Sequence, residues 1–156
     1  MHDQEADTAA LENQPGYLIR RLQQIAVAIF LDETQGHGVT PVQYAALYAA
    51  LRQPGLDQRR LAATIGFDTS TIGGVIDRLE KRGLIERQAS PTDRRVRLLH
   101  VTPAGAALLA ELIPAMLSAQ ARMLAPLPEA ERAHFMALLR TAVEGNKALS
   151  RAPSDA

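Results

Sequence analysis

Arg94, Arg95 and Arg97 crowd the stretch SPTDRRVRLLHVTPAG, residues 90–105, of a 156-residue chain whose formal net charge is zero. Arginine side chains are permanently charged donors that suit phosphate and the edges of bases. The Ser90-Pro91 turn signal precedes them and an alternating apolar segment follows, which predicts the tip of a hairpin. The neutral total hides an asymmetry. Residues 59–97 hold Arg59, Arg60, Arg78, Lys81, Arg82, Arg87, Arg94, Arg95 and Arg97 against Asp68, Asp77, Glu80, Glu86 and Asp93, while Asp3, Glu5, Asp7 and Glu12 face no basic residue within residues 1–16. Local potential, not the total, decides whether a polyanion is attracted.

Other chemistries find little support. Cysteine is absent, which excludes disulfides, thiol nucleophiles and thiolate metal sites. His2, His37, His100 and His134 are scattered, with no pair one helical turn apart, so no metal site is expected. No phosphate-binding glycine loop, nucleophile elbow or HExxH pattern occurs. Neither a cofactor nor catalysis is expected. The acidic start MHDQEADTAA is unlike a secretory signal, and no uninterrupted apolar run approaches the ~18 residues of a membrane span. These features predict a cytoplasmic protein with no membrane partner.

The elements that carry the arginines follow from period and punctuation. Leu18, Leu22, Ile25, Ile29 and Phe30 recur at helical spacing over 17–35, and Gly36-His37-Gly38 ends the run. Thr40-Pro41 opens a second helix that stops at Pro54-Gly55. Asp57 caps a short third helix ending at Gly66, and Asp68 or Thr69 caps a fourth ending at Gly83. LIERQAS and VRLLHVT then read as two antiparallel strands. Thr102-Pro103 opens a fifth helix towards Leu124, kinked at Pro114. A last helix covers EAERAHFMALLRTAVEGNKAL. The fold class is mostly α with a small β-hairpin: a winged helix-turn-helix over 39–102, a helical dimerisation region over 10–38 and 103–150, and disordered ends at 1–9 and 151–156.

In the fourth helix, Ile72, Ile76 and Leu79 form one apolar stripe, flanked by Val75. Thr69, Ser70, Thr71, Gly73, Gly74 and Arg78 are left off the core. Hydroxyls can meet phosphates or base edges, and arginine pairs with guanine, so this face suits a DNA major groove. Each helical glycine costs about 1 kcal/mol relative to alanine. Gly73 and Gly74 therefore admit two readings: close approach to DNA, or close packing on a neighbouring helix. A hairpin directly after such a helix is a wing. Arg94, Arg95 and Arg97 at its tip suit the backbone or a narrow minor groove. Asp93 fixes the wing through an arginine or the turn backbone.

The segments LAATIGFDTSTIGGVI, DRLEKRGLIER and SPTDRRVRLLHVTPAG, with TPVQYAAL upstream, resemble the MarR-type (multiple antibiotic resistance) transcriptional regulators. The resemblance runs from about Tyr17 to Leu149. It implies a homodimer, its outer helices paired with those of the partner subunit, that sets each recognition helix in a major groove of a near-palindromic double-stranded DNA operator. Asp93 and Arg95 match the family's wing residues, and Thr69 to Arg78 its recognition helix. Gly73-Gly74 departs from the family, many of whose members carry larger or polar residues there, so the bases read are not inherited from the resemblance.

Dimerisation has its own support in the sequence. Ala106, Leu109, Ile113, Met116 and Leu117 make one helical stripe, Phe135, Leu138, Leu139 and Val143 another, and the first helix adds a third; a partner chain would cover them, the alternative being a bundle within one chain. On the first helix, Tyr17, Arg20, Arg21 and Gln24 share a polar face. That segment is similar to the branch of the family that senses aromatic carboxylates or their thioesters, which implies an anionic aromatic effector between the dimerisation helices and the winged domain. His37, Tyr44 and Phe67 are further lining candidates. The function expected is a DNA-binding repressor released by that effector. The alternative is a winged-helix module for protein–protein contact, for which a basic wing has no use.

Overall fold

The computed structural model describes Asp7 and residues 10–149. The ends expected to be disordered therefore lie outside the described residues, Asp7 apart. A 3-10 turn at Leu11–Asn13 leads into α1 (Pro15–Glu33), followed by α2 (Pro41–Arg52), β1 (Leu56–Asp57), α3 (Gln58–Ile65), α4 (Thr69–Lys81), β2 (Ile85–Ala89), β3 (Arg97–Val101), α5 (Pro103–Leu124), α6 (Glu129–Gly145) and a second 3-10 turn at Lys147–Leu149.

Local chemistry accounts for the boundaries. Pro15 occupies the first turn of α1, where a missing N–H costs nothing. At the other end of α1, the buried Thr34 donates both its N–H and its hydroxyl to the Phe30 carbonyl. Thr40 and Gln43 exchange side-chain and backbone bonds, each 3.2 Å, in a capping box that starts α2. Asp57 caps α3, and Gly66 closes it in the left-handed region at φ 73°. Asp68, rather than Thr69, caps α4.

The sheet has three strands in the order β1-β3-β2, all antiparallel, where the sequence predicts two. The extra strand, Leu56–Asp57, is too short to show a period. It forms because the buried Leu56 pairs with Leu99 on the inner face.

Two clusters make up the core. The larger lies within the winged unit and includes Leu47, Leu61, Ile72, Ile76, Leu79, Ile85 and Leu99. The smaller joins Phe30 of α1, Val39, and Leu112 and Met116 of α5. Helix α5 serves both, because Leu109 belongs to the first cluster. The stripe predicted on α5 splits accordingly. Leu109 and Met116 turn inward, while Ile113 and Leu117 are 56% and 63% exposed. Pro114 stays inside this helix without ending it.

One expectation needs correction. Although Glu111 and Arg122 interrupt it, α5 is long and apolar enough, by length and composition, to cross a membrane. Gly105, Leu109, Leu112 and Met116 of this helix are buried against the rest of the fold.

Polar links tie the end of α4 to the outer helices. The Arg82 guanidinium donates to the carbonyls of Gly38 (2.6 Å) and His37 (3.1 Å), in the connection between α1 and α2. Thr102, the cap of α5, donates its hydroxyl to the Gly83 carbonyl (2.6 Å) and its N–H to that of Leu84 (3.1 Å). At Gly105 a Cβ would lie 2.1 Å from the Leu84 oxygen. Further out, Arg122 of α5 bridges Asp32 and Glu33 at the end of α1. Helix α6 has no buried residue.

The Gly105 contact is against backbone, which cannot swing aside. Gly105→Ala is expected to lower stability by about 1–3 kcal/mol through overpacking, measured as a reduced urea midpoint at unchanged slope.

Candidate nucleic-acid interface

Helix α4 buries Ile72, Val75, Ile76 and Leu79. At 3.6 residues per turn, the line opposite that stripe runs through Ser70, Gly74 and Lys81, with Thr71 and Arg78 on one flank. Ser70, Thr71, Arg78 and Lys81 are exposed. Gly73 and Gly74, alike in sequence, have different surroundings. A Cβ on Gly73 would lie 3.0 Å from Nε2 of Gln58, whose amide donates to the Thr69 carbonyl at 3.2 Å. Gly73 therefore serves the packing of α3 on α4. A Cβ on Gly74 would meet nothing nearer than Arg78 of the same helix, at 3.9 Å.

Every acidic side chain of the basic segment is held by a donor within it. Asp68 accepts from the hydroxyls of Ser70 and Thr71, both at 2.6 Å, and from the Thr71 N–H at 2.7 Å. The Ser70 and Thr71 hydroxyl bonds, then the Thr71 backbone bond, pull its pKa down to about 2, so the carboxylate is charged at neutral pH. Arg87 of β2 donates to Asp77 (2.7 Å) and Glu80 (3.0 Å) of α4, fastening the base of the wing to the helix. Glu86 accepts from Gln88 at 2.7 Å. Asp93 accepts from the backbone N–H of Arg95 at 3.0 Å. Ser90 completes the wing turn, accepting at its hydroxyl from the N–H groups of Thr92 and Asp93 and donating its own N–H to Val96.

The cations are left over. Among the described residues, the side chains of Arg59, Arg60, Arg78, Lys81, Arg94, Arg95 and Arg97 are exposed and make no ion pair or hydrogen bond. They lie on α3, α4 and the wing, so the unpaired positive charge belongs to three adjoining elements. The tasks of Arg82, Arg87 and Gln58 are not visible in the sequence. Their partners lie 44 and 45, 10 and 7, and 11 residues away, each on a different element or connection, so the period within an element does not report them.

The candidate effector residues do not converge within one chain. Tyr17, Arg20 and Arg21 cluster near the start of α1: the guanidinium carbons lie 5.3 and 5.9 Å from the tyrosine ring centre, and Arg21 donates to the phenol oxygen at 3.0 Å. Gln24 is exposed further along α1. Tyr44 stands elsewhere, between Phe30 (5.9 Å) and Tyr48 (6.0 Å), and burial, then the neighbouring Tyr48, raises its pKa. Tyr17 and Phe30 are thirteen residues apart on one helix, about 20 Å at 1.5 Å per residue. His37 has a buried Nδ1 without a partner. Phe67 lies in the turn between α3 and α4 and joins neither core cluster. A separate cavity of about 540 Å³, lined by Leu22, Phe30, Met116, Met123, Phe135 and Met136 among others, opens between α1, α5 and α6 and includes none of these candidates.

Residues 37–96 match the sequence model of the MarR family. A putative transcriptional regulatory protein for the hcr operon of Thauera aromatica is 38% identical over 132 residues, covering 84% of this chain and 80% of that protein. The solved structure of Bordetella bronchiseptica BpsR, whose DNA binding is regulated by 6-hydroxynicotinic acid, is 33% identical, covers 83% of this chain and 92% of its own, and superposes with a TM-score of 0.78. The repressor CouR of Rhodococcus jostii RHA1, solved on a 23-mer DNA duplex, is 29% identical, with 87% and 96% covered and a TM-score of 0.81.

The two glycines of α4 are expected to respond differently to a methyl group. Gly74→Ala should raise stability by up to about 1 kcal/mol through helix propensity. Gly73→Ala should gain less or lose stability, because Gln58 must give way. Paired urea titrations measure the difference.

Proposed function

The chain belongs to the MarR family of transcriptional regulators, and from that premise we propose that it is a repressor, not an enzyme, that binds a near-palindromic operator as a homodimer and is released by an anionic aromatic effector. One observation carries the DNA-binding part: seven exposed, unpaired cations on α3, α4 and the wing, beside carboxylates that are all occupied internally. In this reading α4 enters the major groove with Thr69, Ser70, Thr71, Gly74 and Arg78 towards it. Arg94, Arg95 and Arg97 meet the flanking backbone or minor groove, and Asp93 holds their turn. A regulator of DNA works where the DNA is, in the cytoplasm.

The homodimer is supported by surface that the chain leaves uncovered. Leu18, Ile25, Ile113, Leu117, Leu138 and Val143 are each at least 45% exposed, all on α1, α5 and α6. A second copy laid on these helices removes that area from water, at roughly 25 cal/mol per Å², and covers the mouth of the cavity between them.

The effector follows from two features. Arg20 and Arg21 offer a carboxylate a guanidinium, and Tyr44 and His37 offer a half-buried ring and an unsatisfied nitrogen at the junction with the winged unit. Arg20 and Arg21 lie ten and nine residues before Phe30, the α1 residue that meets Tyr44, about 15 Å along the helix at 1.5 Å per residue, so a small ligand reaches both features only if a second subunit brings its α1 across. To release DNA it must bind better to a dimer whose recognition helices are misplaced for the operator.

The protein is expected to sediment as a dimer near twice 16.9 kDa and to address half-sites about 34–36 Å apart. Arg95→Ala should weaken operator binding and, for a phosphate contact, flatten the slope of log K against log salt by about 0.9. A loss that instead tracks the A/T content of the flank marks minor-groove reading. Asp93→Ala should act less strongly, by loosening the turn. Monomers, or wild-type affinity in both variants at every salt concentration, defeat this part.

Calorimetric titration of 6-hydroxynicotinate, other aromatic carboxylates and their thioesters tests the effector. Arg20→Ala, Arg21→Ala and Tyr44→Ala should weaken whichever ligand releases DNA, and operator should weaken that ligand by the factor by which the ligand weakens operator. Unchanged affinity in all three variants places the pocket elsewhere.

A further inference from the structure

The outer face of α4 carries information about which bases it reads. A serine or threonine hydroxyl has one proton to donate and two lone pairs to accept with. A carboxylate only accepts. The 2.6 Å contacts from Ser70 and Thr71 to Asp68 therefore fix both protons on the carboxylate side, within the 2.5–2.7 Å range of charge-assisted O–H···O⁻ bonds. What Ser70 and Thr71 still offer outward are lone pairs.

That excludes one partner and selects another. Phosphate oxygens carry no proton, so neither hydroxyl can bond them while it is bonded to Asp68. In the major groove the only base-edge donors are the N6 amino group of adenine and the N4 amino group of cytosine; guanine presents acceptors there, and thymine an acceptor and a methyl group.

The second observation is the bare strip beside Ser70. Gly74 lies one turn further along the same outer line, and no intramolecular neighbour requires its side chain to be missing. Asp77, the acidic residue near that line, is turned to Arg87. The helix backbone can thus come close enough to a base edge for the short Ser70 side chain to reach it.

We propose that Ser70, oriented by Asp68 and given clearance by Gly74, is a specificity-determining residue that selects an amino-bearing base, adenine or cytosine, in each half-site. This rests on the reading that α4 enters a major groove, and the experiment separates the two.

Wild-type protein first selects operators from a pool of random duplexes. Each adenine of a half-site is then replaced in turn by purine riboside's deoxy analogue, which lacks the 6-amino group, and each cytosine by the 2-pyrimidinone analogue, which lacks the 4-amino group. Affinities are measured for wild type, Ser70→Ala and Gly74→Ala. At one position per half-site the wild type should lose about twofold to tenfold, the worth of one hydrogen bond. Ser70→Ala should show that loss on the unmodified operator and no further loss with the analogue, at an unchanged salt slope. Gly74→Ala, although no less stable, should lose discrimination at the same position. Additive losses for analogue and Ser70→Ala at every position, or a flatter salt slope in Ser70→Ala, overturn the assignment while leaving DNA binding intact. Failure of the wild type to enrich any sequence overturns the reading beneath it.

Discussion

The three residues after α4, Arg82 to Leu84, are the point on which the arrangement depends. Arg82 is bonded to the connection after α1, and Gly83 and Leu84 to the cap of α5. Gly83, at φ 71°, turns the chain there, in a region that glycine enters without strain. Both parts of the outer helical region thus grip the same short elbow, and the missing side chain of Gly105 lets α5 press against it. A movement of α1 relative to α5 has few ways to leave this elbow undisturbed, and the elbow is continuous with α4. The outer helices and α4 are thus joined by a packed, hydrogen-bonded junction rather than a flexible link.

The interface beyond the elbow is organised by what happens to its negative charge. A segment with nine basic and five acidic residues could have neutralised itself through surface ion pairs. Instead one arginine, Arg87, takes two carboxylates, and the other three accept from hydroxyl, amide or backbone donors. Individual exposed pairs of this kind contribute little to stability. Their effect is on the field: the carboxylates are directed into the protein's own turns and caps, while Arg59, Arg60, Arg78, Lys81, Arg94, Arg95 and Arg97 stay exposed and unpaired.

The outer helices obey a different constraint. Their apolar residues are too many for the faces available inside one chain, so α1 and α5 each bury one side and α6 buries none. The cationic and aromatic halves of the candidate effector site are also kept apart: Arg20 and Arg21 lie in the first half of α1, whereas Tyr44 sits on α2 against Phe30, near the end of α1.

Much of this was legible in the sequence because it is local. Helix starts at Thr40, Asp57 and Thr102, the ends at Gly66 and Gly83, and the apolar stripe of α4 depend on residues within about one turn of each other, where capping and periodicity act. The wing was legible for the same reason, since Ser90, Asp93 and the arginines shape one turn. What the tertiary structure alone decided involves partners far apart in the chain. Leu56 becomes a strand residue only because Leu99 is beside it. Gly73 and Gly74 are indistinguishable in sequence and separated by the placement of Gln58. The α5 stripe looks like one surface until the winged core takes Leu109 and the cluster around Phe30 takes Met116. The sequence leaves the hydroxyls of Ser70 and Thr71 open to phosphates or base edges; the cap geometry of Asp68 fixes their protons. Periodicity reports which residues share a face; it carries no information on what arrives at that face from the rest of the chain, because that depends on the packing of elements whose sequence separation has no period.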